Sequence, residues 1–228
     1  MKHLVGWALV CGLLACGQNA GWERLAPLKE ARQEVGAAII AGKIYVVGGF
    51  GSSGATLSSA EVYDPGTGRW ETLPPMLIGV NHPATEALGG MLYVLGGYRG
   101  PVLGNPTDAV QIYNPESKRW SLGPAMPSAR GGLTAAVVEG KLYAIGGARG
   151  SSVGDMAVFD PKTNQWASLA AMPTPRDHIG AGVIGGKIYV LGGRNQSSFT
   201  LTVLEAYDPK TNKWETLPPM PTGRSGRL

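Results

Sequence analysis

Arginine recurs at one fixed position of this 228-residue chain, ten residues after a tryptophan. It stands there four times, and Val80 takes the same place once; the arginines are Arg32, Arg130, Arg176 and Arg224. A guanidinium group presents a planar fork of donors that matches a carboxylate or a phosphate. Repeated arginines therefore predict a surface that binds an acidic ligand, although each arginine could equally anchor its own turn.

Further candidate ligand-binding residues lie in four segments whose length varies between repeats, roughly residues 50–59, 98–109, 148–155 and 194–203. Loops of variable length on a rigid scaffold are where binding is usually found. The cations in these segments are Arg99, Arg149 and Arg194. Aromatic side chains that could stack on a sugar ring or grip a peptide are Phe50, Tyr98 and Phe199.

Two histidines and one glutamate are further candidates, His82 for ligand binding and His178 and Glu86 for proton transfer. His82 and His178 stand at equivalent positions, two residues after Val80 and Arg176, and Glu86 replaces a small residue of the other repeats. A carboxylate facing a central channel could act as an acid or base, or pair with a neighbouring arginine. Two histidines with no further ligands nearby in the sequence do not make a metal site. We expect neither a metal nor another cofactor.

The elements that position these residues are repeated along the chain. Tryptophans at 22, 70, 120, 166 and 214 are separated by 48, 50, 46 and 48 residues. Each of four complete copies has a Gly-Gly pair and then a Tyr/Phe-Asp/Asn-Pro triplet, with the tryptophan six residues after the Asp/Asn. A period near fifty indicates one supersecondary unit copied end to end.

Each copy predicts four short strands. A small apolar strand such as Gly36–Ile40 is followed by a tight glycine turn and an apolar strand with a tyrosine. The third strand alternates, with Val110 and Ile112 on one face and Gln111 and Tyr113 on the other. The fourth contains the tryptophan and ends at proline, which suits an outer edge strand. The variable segments and the connections between copies should then lie on one face, called the loop face below.

These units resemble kelch repeats, and the resemblance covers residues 22–228. It implies an all-β fold, a kelch-type β-propeller of four-stranded antiparallel blades. Four complete blades are expected, at roughly 35–74, 83–124, 133–170 and 179–218, preceded by a lone outer strand at 21–26. In such a fold the Gly-Gly, tyrosine and tryptophan positions serve blade packing rather than ligand contact.

The two ends of the repeat array do not match. Residues 220–228 resemble the start of another copy, while the first outer strand has no blade of its own. We therefore expect an incomplete, open ring, with the chain part of a longer propeller of six or seven blades. Self-association of two open arcs is the second interpretation, and a closed ring of four blades is the third.

Residues 1–15 are predicted to be an export signal, because Lys2 and His3 precede a short apolar run. The run ends in Leu-Leu-Ala-Cys-Gly, which resembles a bacterial lipobox and would place a lipid on Cys16. Residues 16–21 would be the tether of a lipoprotein anchored in the bacterial cell envelope. The alternative is a plain secretory signal cleaved near Ala20, which would give a periplasmic or secreted protein.

Charge and cysteine content exclude several classes of function. The excess of 20 basic over 16 acidic residues is small and scattered, and gives no basic stripe of the kind that binds nucleic acid. The only cysteines are Cys11 and Cys16, both in the leader region, so a disulfide or a cysteine nucleophile is not expected in the domain.

Three functions remain open from sequence. The first is an envelope-anchored binding module that holds a protein or glycan ligand on the loop face. The second is a sugar mutarotase or epimerase, because the chain is similar in outline to exported kelch proteins that interconvert sialic acid anomers. That resemblance would give the proton transfer to Glu86 or His178, and the hold on the sugar carboxylate to Arg130 or Arg176. The third is a truncated, non-functional remnant.

Overall fold

The computed structural model describes residues 22–101 and 104–226. The predicted signal peptide, the tether and the lipidation site at Cys16 lie outside the described residues. Every regular element in the described part is a β-strand. No helix within it is long and apolar enough to cross a membrane.

Eighteen strands form four four-stranded sheets and one two-stranded ribbon. The ribbon pairs β1 (Arg32–Gln33) with β4 (Phe50–Gly51). Blade 1 contains β2 (Gly36–Ile40), β3 (Lys43–Val47), β5 (Ala60–Asp64) and β6 (Arg69–Leu73). Blade 2 contains β7 (Ala84–Leu88), β8 (Met91–Leu95), β9 (Val110–Asn114) and β10 (Arg119–Leu122). Blade 3 contains β11 (Thr134–Val138), β12 (Lys141–Ile145), β13 (Met156–Asp160) and β14 (Gln165–Ser168). Blade 4 contains β15 (Gly180–Ile184), β16 (Lys187–Leu191), β17 (Leu204–Asp208) and β18 (Lys213–Leu217).

Each sheet is an antiparallel meander in chain order, which confirms the predicted propeller blades. The first two strands of each blade are joined by a two-residue turn in which both residues have positive φ. These turns are Ala41-Gly42, Gly89-Gly90, Glu139-Gly140 and Gly185-Gly186. Two positive φ values mark the turn type whose twist matches a β-hairpin.

The Gly-Gly pair at the end of each second strand lets the next connection approach closely. A Cβ added to Gly48 would stand 2.3 Å from the carbonyl oxygen of Val80. Gly49 N donates to that same oxygen at 2.9 Å. Both glycines also have positive φ, so any other residue there would be strained as well as crowded.

The tryptophan of each blade joins it to the preceding segment of the chain. Its ring packs on the aromatic of its own Tyr/Phe-Asp/Asn-Pro triplet, with centroids 5.0 to 5.4 Å apart. Its indole N–H donates to a carbonyl four residues after the previous tryptophan; the acceptors are Ala26, Pro74, Pro124 and Ala170. Residues 22–28 form no strand, which corrects the expected outer strand over residues 22–26; no third strand of the described residues lies beside them to pair with.

Apolar clusters fill the spaces between successive blades. Both faces of blades 2 and 3 are therefore covered, and in blade 2 Gln111 and Tyr113 are as buried as Val110 on the opposite face of β9. The inner strands pack in the order β2, β7, β11 and β15. Within the described residues β15 does not pack against β2 in the same way, and Ile39 and Ile184 stay 65% and 68% exposed. The four blades form an open arc rather than a closed ring.

Candidate functional site

One backbone position in each repeat, twelve residues after the tryptophan, lies next to the axis of the arc. The residues there are Glu34, His82, Gly132, His178 and Gly226. Each backbone N–H, from His82 onward, donates to the carbonyl oxygen of the equivalent residue in the preceding repeat, over 2.8 to 3.1 Å. All five residues have positive φ. The connections between blades thus meet in a ladder of left-handed residues on the loop face.

Three of these five residues carry ionisable side chains that converge. His82 Nε2 lies 3.2 Å from the Glu34 carboxylate, and His178 Nε2 lies 4.0 Å from the same oxygen. The two imidazole rings meet edge to face, with centroids 4.9 Å apart. Both histidines are buried, whereas Glu34 is exposed. Glu34, His82 and His178 are called the axial cluster from here on.

The three residues of the axial cluster have a backbone conformation that is strained for them and would be unstrained for glycine. Glu34, His82 and His178 have φ values of 55°, 53° and 52°, and glycine fills the other two positions of the ladder. A left-handed conformation costs a non-glycine residue roughly 1–2 kcal/mol. Observed strain of this kind at converging polar side chains points to a functional site.

A second layer of hydrogen bonds fixes the two imidazole rings. Asn81 Oδ1 lies 2.7 Å from His82 Nδ1, and Asp177 Oδ1 lies against His178 Nδ1. Asp177 also accepts hydrogen bonds from Ser152 Oγ at 2.6 Å and from Arg194 Nε at 3.0 Å. Burial alone would raise the pKa of Asp177. These hydrogen bonds together have the larger effect, so the pKa of Asp177 is lowered. The ionised Asp177 holds the Nδ1 hydrogen of His178 and leaves the lone pair at Nε2.

The axial cluster contains ligand atoms of the kinds that divalent metals take. One atom each from Glu34, His82 and His178 lies within 4.8 Å of the others, and two histidines with one glutamate form a known zinc-binding set. However, Arg194 Nη2 lies 3.1 Å from His178 Nε2, where its hydrogen and its positive charge compete with a metal. The arrangement therefore favours a polar or anionic ligand over a cation.

A cavity of about 290 Å³ opens beside the cluster and is lined by Tyr98, Ser152, Asp177, Arg194 and Phe199, among others. Tyr98 packs edge-on against His82 and donates to the carbonyl oxygen of Ala148. Burial, helped by the negative charge of Asp177, raises the pKa of Tyr98 to about 12. Phe199 is 80% exposed, so it offers an apolar contact to a ligand. The cavity thus joins polar groups to an aromatic rim.

Phe50, also predicted to bind ligand, lies on the other side of the cluster. Its ring meets His82 edge to face, with centroids 5.8 Å apart. Phe50 and Tyr98 therefore flank the same imidazole. The structure brings together His82, Arg194, Phe50 and Tyr98 of the predicted ligand-binding residues, together with His178, the candidate proton carrier.

The repeated arginines are placed differently from the expectation. The side chains of Arg32 and Arg176 are fully buried inside their own blades, where they pair with Glu61 and Glu205. Arg176 also donates to three backbone carbonyls, those of Thr174, Val190 and Gly192. Arg130 is likewise buried in blade 3. These three side chains are buried within the fold, whereas the sequence led us to expect a ring of arginines around a ligand.

The remaining predicted residues are spread out. Arg224 is exposed and joins Leu201 through backbone hydrogen bonds. Arg99 is exposed, and Arg149 binds Asp155 at the surface. Glu86 lines a separate central cavity of about 420 Å³ between the four inner strands, where burial raises its pKa. It is not part of the axial cluster.

Glu34, Asn81, Asp177 and Ser152 were missed by sequence reasoning. The signal for Glu34 was available, because it stands at the same repeat position as His82 and His178. Asn81 and Asp177 share the position before those histidines. Aligning every copy by its tryptophan, and comparing the first and second residues after the arginine position, would have found Glu34, Asn81 and Asp177; no such signal marks Ser152.

Two family models match the sequence. The KLHDC2/KLHL20/DRC7 Kelch-repeats domain matches residues 81–227, and the Kelch motif matches residues 31–77. The chain is 43% identical over 84 residues to the F-box/kelch-repeat protein At1g67480 of Arabidopsis thaliana, covering 37% of this chain and 22% of that protein. It is 36% identical over 104 residues to Kelch-like protein 28 of Homo sapiens, covering 39% of this chain and 18% of that protein. The matched segments thus span about a fifth of these relatives' length.

A solved structure has the same fold. The chain titled "Structure of YjhT" superposes with a TM-score of 0.79, over 90% of this chain and 76% of that one. The two sequences are 20% identical. At that identity the likeness concerns the fold alone.

Proposed function

Because the chain belongs to the kelch-repeat family, whose propellers are typically protein-binding, we propose that it is a binding module that holds a segment of a partner protein on its loop face. The axial cluster is the centre of the proposed site, and the cavity beside Tyr98 and Phe199 is its flank. Fold alone does not choose a function, so the proposal rests on the site.

The observation that carries the proposal is the strained axial backbone. The chain retains Glu34, His82 and His178 in a conformation that glycine adopts without cost, and supports both imidazoles with buried partners. Polar groups held in place by a second layer are prepared to meet a ligand. A packing role would be served as well by glycine, as at Gly132 and Gly226.

The chemistry of the loop face favours an acidic partner. Arg194 touches the axial cluster, Arg99 is exposed in a neighbouring loop, and Arg149 is exposed but paired with Asp155. Phe199 adds an exposed aromatic surface that a peptide side chain or a sugar ring could cover. A peptide segment rich in Asp or Glu and carrying an apolar anchor would satisfy both features.

Selection from a random peptide library displayed on phage tests this function. The full chain should enrich acidic sequences, and His82→Gly/His178→Gly should enrich them poorly, because that double variant removes the imidazoles while relieving backbone strain. Lys210→Ala, in an exposed turn at the opposite end of blade 4, is the matched control and should behave as wild type. Equal enrichment by all three proteins would contradict the proposal. If the protein instead bound only to a sialylated glycan panel, the ligand at this site would be a glycan and not a protein.

A mutarotase or epimerase acting on an acidic sugar such as sialic acid is the second candidate, and the Asp177–His178 pair favours it. Opening a sugar ring requires a proton to leave the anomeric hydroxyl and another to reach the ring oxygen. His178 Nε2 could carry the proton, while Arg194 held the carboxylate of the sugar.

Anomer exchange of sialic acid, followed by NMR, tests the second candidate. The intact protein should accelerate exchange, and His178→Asn should remove most of the acceleration. Glu86→Gln is the informative comparison, since Glu86 lines a different cavity. No acceleration by folded wild-type protein would eliminate the enzyme.

We also propose that the module is exported and anchored through a lipid on Cys16. The support is the sequence of residues 1–17, with its basic start, short apolar run and Ala-Cys-Gly ending. Metabolic labelling with a fatty-acid analogue in a bacterial host should mark the wild type and not Cys16→Ser. Labelling of neither protein, with cleavage near Ala20, would indicate the plain secretory alternative.

A further inference from the structure

One position in the third strand of each blade determines which side chain the buried arginine contacts. It lies two residues before the aromatic of the Tyr/Phe-Asp/Asn-Pro triplet, and its residues are Glu61, Gln111, Ala157 and Glu205. The arginine positions of the same four blades hold Arg32, Val80, Arg130 and Arg176. Blades 1, 2 and 4 have matched combinations, whereas blade 3 has an arginine opposite alanine.

The matched blades show what belongs in this place. In blade 4 a carboxylate oxygen of Glu205 lies 2.5 Å from Arg176 Nη1, and both side chains are fully buried. In blade 2 the arginine is absent. There the Gln111 amide accepts a hydrogen bond from the Ile78 N–H at 2.8 Å and donates one to the Ile78 carbonyl oxygen at 2.9 Å. Each buried polar group in this position therefore has a partner.

Blade 3 lacks that partner. Arg130 is 1% exposed, and it donates to Ser128 Oγ at 2.5 Å and to the carbonyl oxygen of Ala144 at 3.2 Å. Its Nε is one of two buried side-chain polar atoms without a hydrogen-bond partner in the described part of the chain, whereas the equivalent Nε of Arg176 donates to the carbonyl oxygen of Gly192. The carboxylate of Asp155 stands 3.9 Å from Nη1 and is already bound by Ser128 and Arg149. Burial lowers the pKa of Arg130 to about 10, with Asp155 opposing the change.

Space exists where the carboxylate is missing. A cavity of about 260 Å³ is lined by Arg130, Ser128, Asp155 and Ala157, and by the exposed residues Ser168 and Ala171, which connect it to solvent. The charged side chains around it are two arginines, 130 and 149, and one aspartate, so the local balance is one positive charge. A single negative charge of carboxylate size would complete the arrangement seen in blade 4.

We propose that the cavity of blade 3 binds a small carboxylate, which takes the place that the Glu205 side chain has in blade 4. The planar donor fork of Arg130 suits a carboxylate, and Ser128 adds a hydroxyl beside it. A dianion such as phosphate fits less well, because its second charge would face Asp155. The cavity includes Asp155 of the variable segment 148–155 and therefore belongs to the loop face, but none of its lining residues is part of the axial cluster.

The test uses the arginine Nε–H resonance of the full chain, observed by NMR while formate or acetate is added. Sodium chloride at the same ionic strength is the reference. We expect a saturable shift of the Arg130 signal with either carboxylate and none with chloride, together with a rise in melting temperature. N-acetylglutamate amide forms a second arm: a shift with this probe alone would also support the site and would identify a protein side chain as the source.

Two variants make the result specific. Ala157→Glu rebuilds the pair of blades 1 and 4, so it should raise the melting temperature without added ligand and weaken the carboxylate response by about tenfold or more. Glu205→Ala copies blade 3 into blade 4 and should give Arg176 a new carboxylate-dependent shift. If Ala157→Glu misfolds, the Glu205→Ala arm still decides. Absence of any carboxylate-specific shift at Arg130 in folded wild type would overturn the proposal, as would an unchanged response in folded Ala157→Glu.

Discussion

The buried pair of blade 4 allows a quantitative prediction, because blade 2 contains the compensated alternative. Replacing Arg176 with valine leaves the Glu205 carboxylate fully buried, and among the described residues the Thr174 hydroxyl, at 2.7 Å, is the side-chain donor that remains. Three backbone carbonyls also lose their donor. Removing one partner of a buried ion pair costs about 3–5 kcal/mol of unfolding free energy. We expect Arg176→Val alone to fall in this range.

The double variant Arg176→Val/Glu205→Gln copies the Val80 and Gln111 combination of blade 2. A neutral glutamine can bond the backbone of Thr174 in both directions, as Gln111 bonds Ile78. The second substitution should therefore recover about 2 kcal/mol, within the coupling range of residues in one network. Glu205→Gln alone should destabilise the protein, since the guanidinium then loses its counter-charge.

Urea unfolding followed by tryptophan fluorescence measures all four proteins of this cycle. The expected recovery of about 2 kcal/mol corresponds to a change of about thirtyfold in the folding equilibrium, and the coupling energy exceeds it by the cost of Glu205→Gln alone. Additivity of the two single effects to within about 0.5 kcal/mol would refute the reasoning. It would mean that the arginine and the glutamate act separately, despite their contact.

Three further predictions concern the blades and the central cavity. Trp166→Phe keeps an aromatic ring against Phe159 but loses the 2.9 Å bond to the Pro124 carbonyl, so chemical denaturation should show a loss of about 1–2 kcal/mol; an unchanged midpoint would mean that the joint between blades 2 and 3 contributes nothing. Glu139→Asn, at the first residue of a hairpin turn with φ 50°, should stabilise by about 0.5 kcal/mol, and a lower melting temperature would contradict that reading of the turn. Burial raises the pKa of Glu86 in the folded state above its unfolded value of 4.5, so its favourable effect is complete below that pH and is lost as the pH rises through the folded pKa. Glu86→Gln should consequently stabilise the protein at neutral pH and have little effect in acid, a difference that melting curves across pH will reveal or exclude.

The repeat made most of the fold predictable. Its apolar segments, glycine turns and fixed tryptophan spacing predicted strands such as Gly36–Ile40 with the bounds that the structure has. These features act locally, and four copies reinforce one another. The outer strand expected at 21–26 failed for a non-local reason, because a strand forms only beside a partner.

The candidate site was less predictable, because its residues meet only through the arc. Glu34 and His178 are 144 positions apart in the sequence, yet their side chains approach to 4.0 Å. The arginine period was visible, but the depth at which Arg32 and Arg176 lie depends on Glu61 and Glu205 in the third strands. Charge pattern alone does not distinguish a buried ion pair from a binding surface.

The axial cluster gives the most direct test of the proposed binding function, because the chain has three histidines and two of them belong to the cluster. The measurement is the proton–carbon NMR spectrum of the histidine rings during titration with an acidic peptide enriched by wild-type protein. Binding at the proposed site predicts that His82 and His178 shift together and saturate, while Lys210→Ala gives the same titration. Saturable binding that leaves both rings unshifted would place the ligand elsewhere and contradict the assignment of the site.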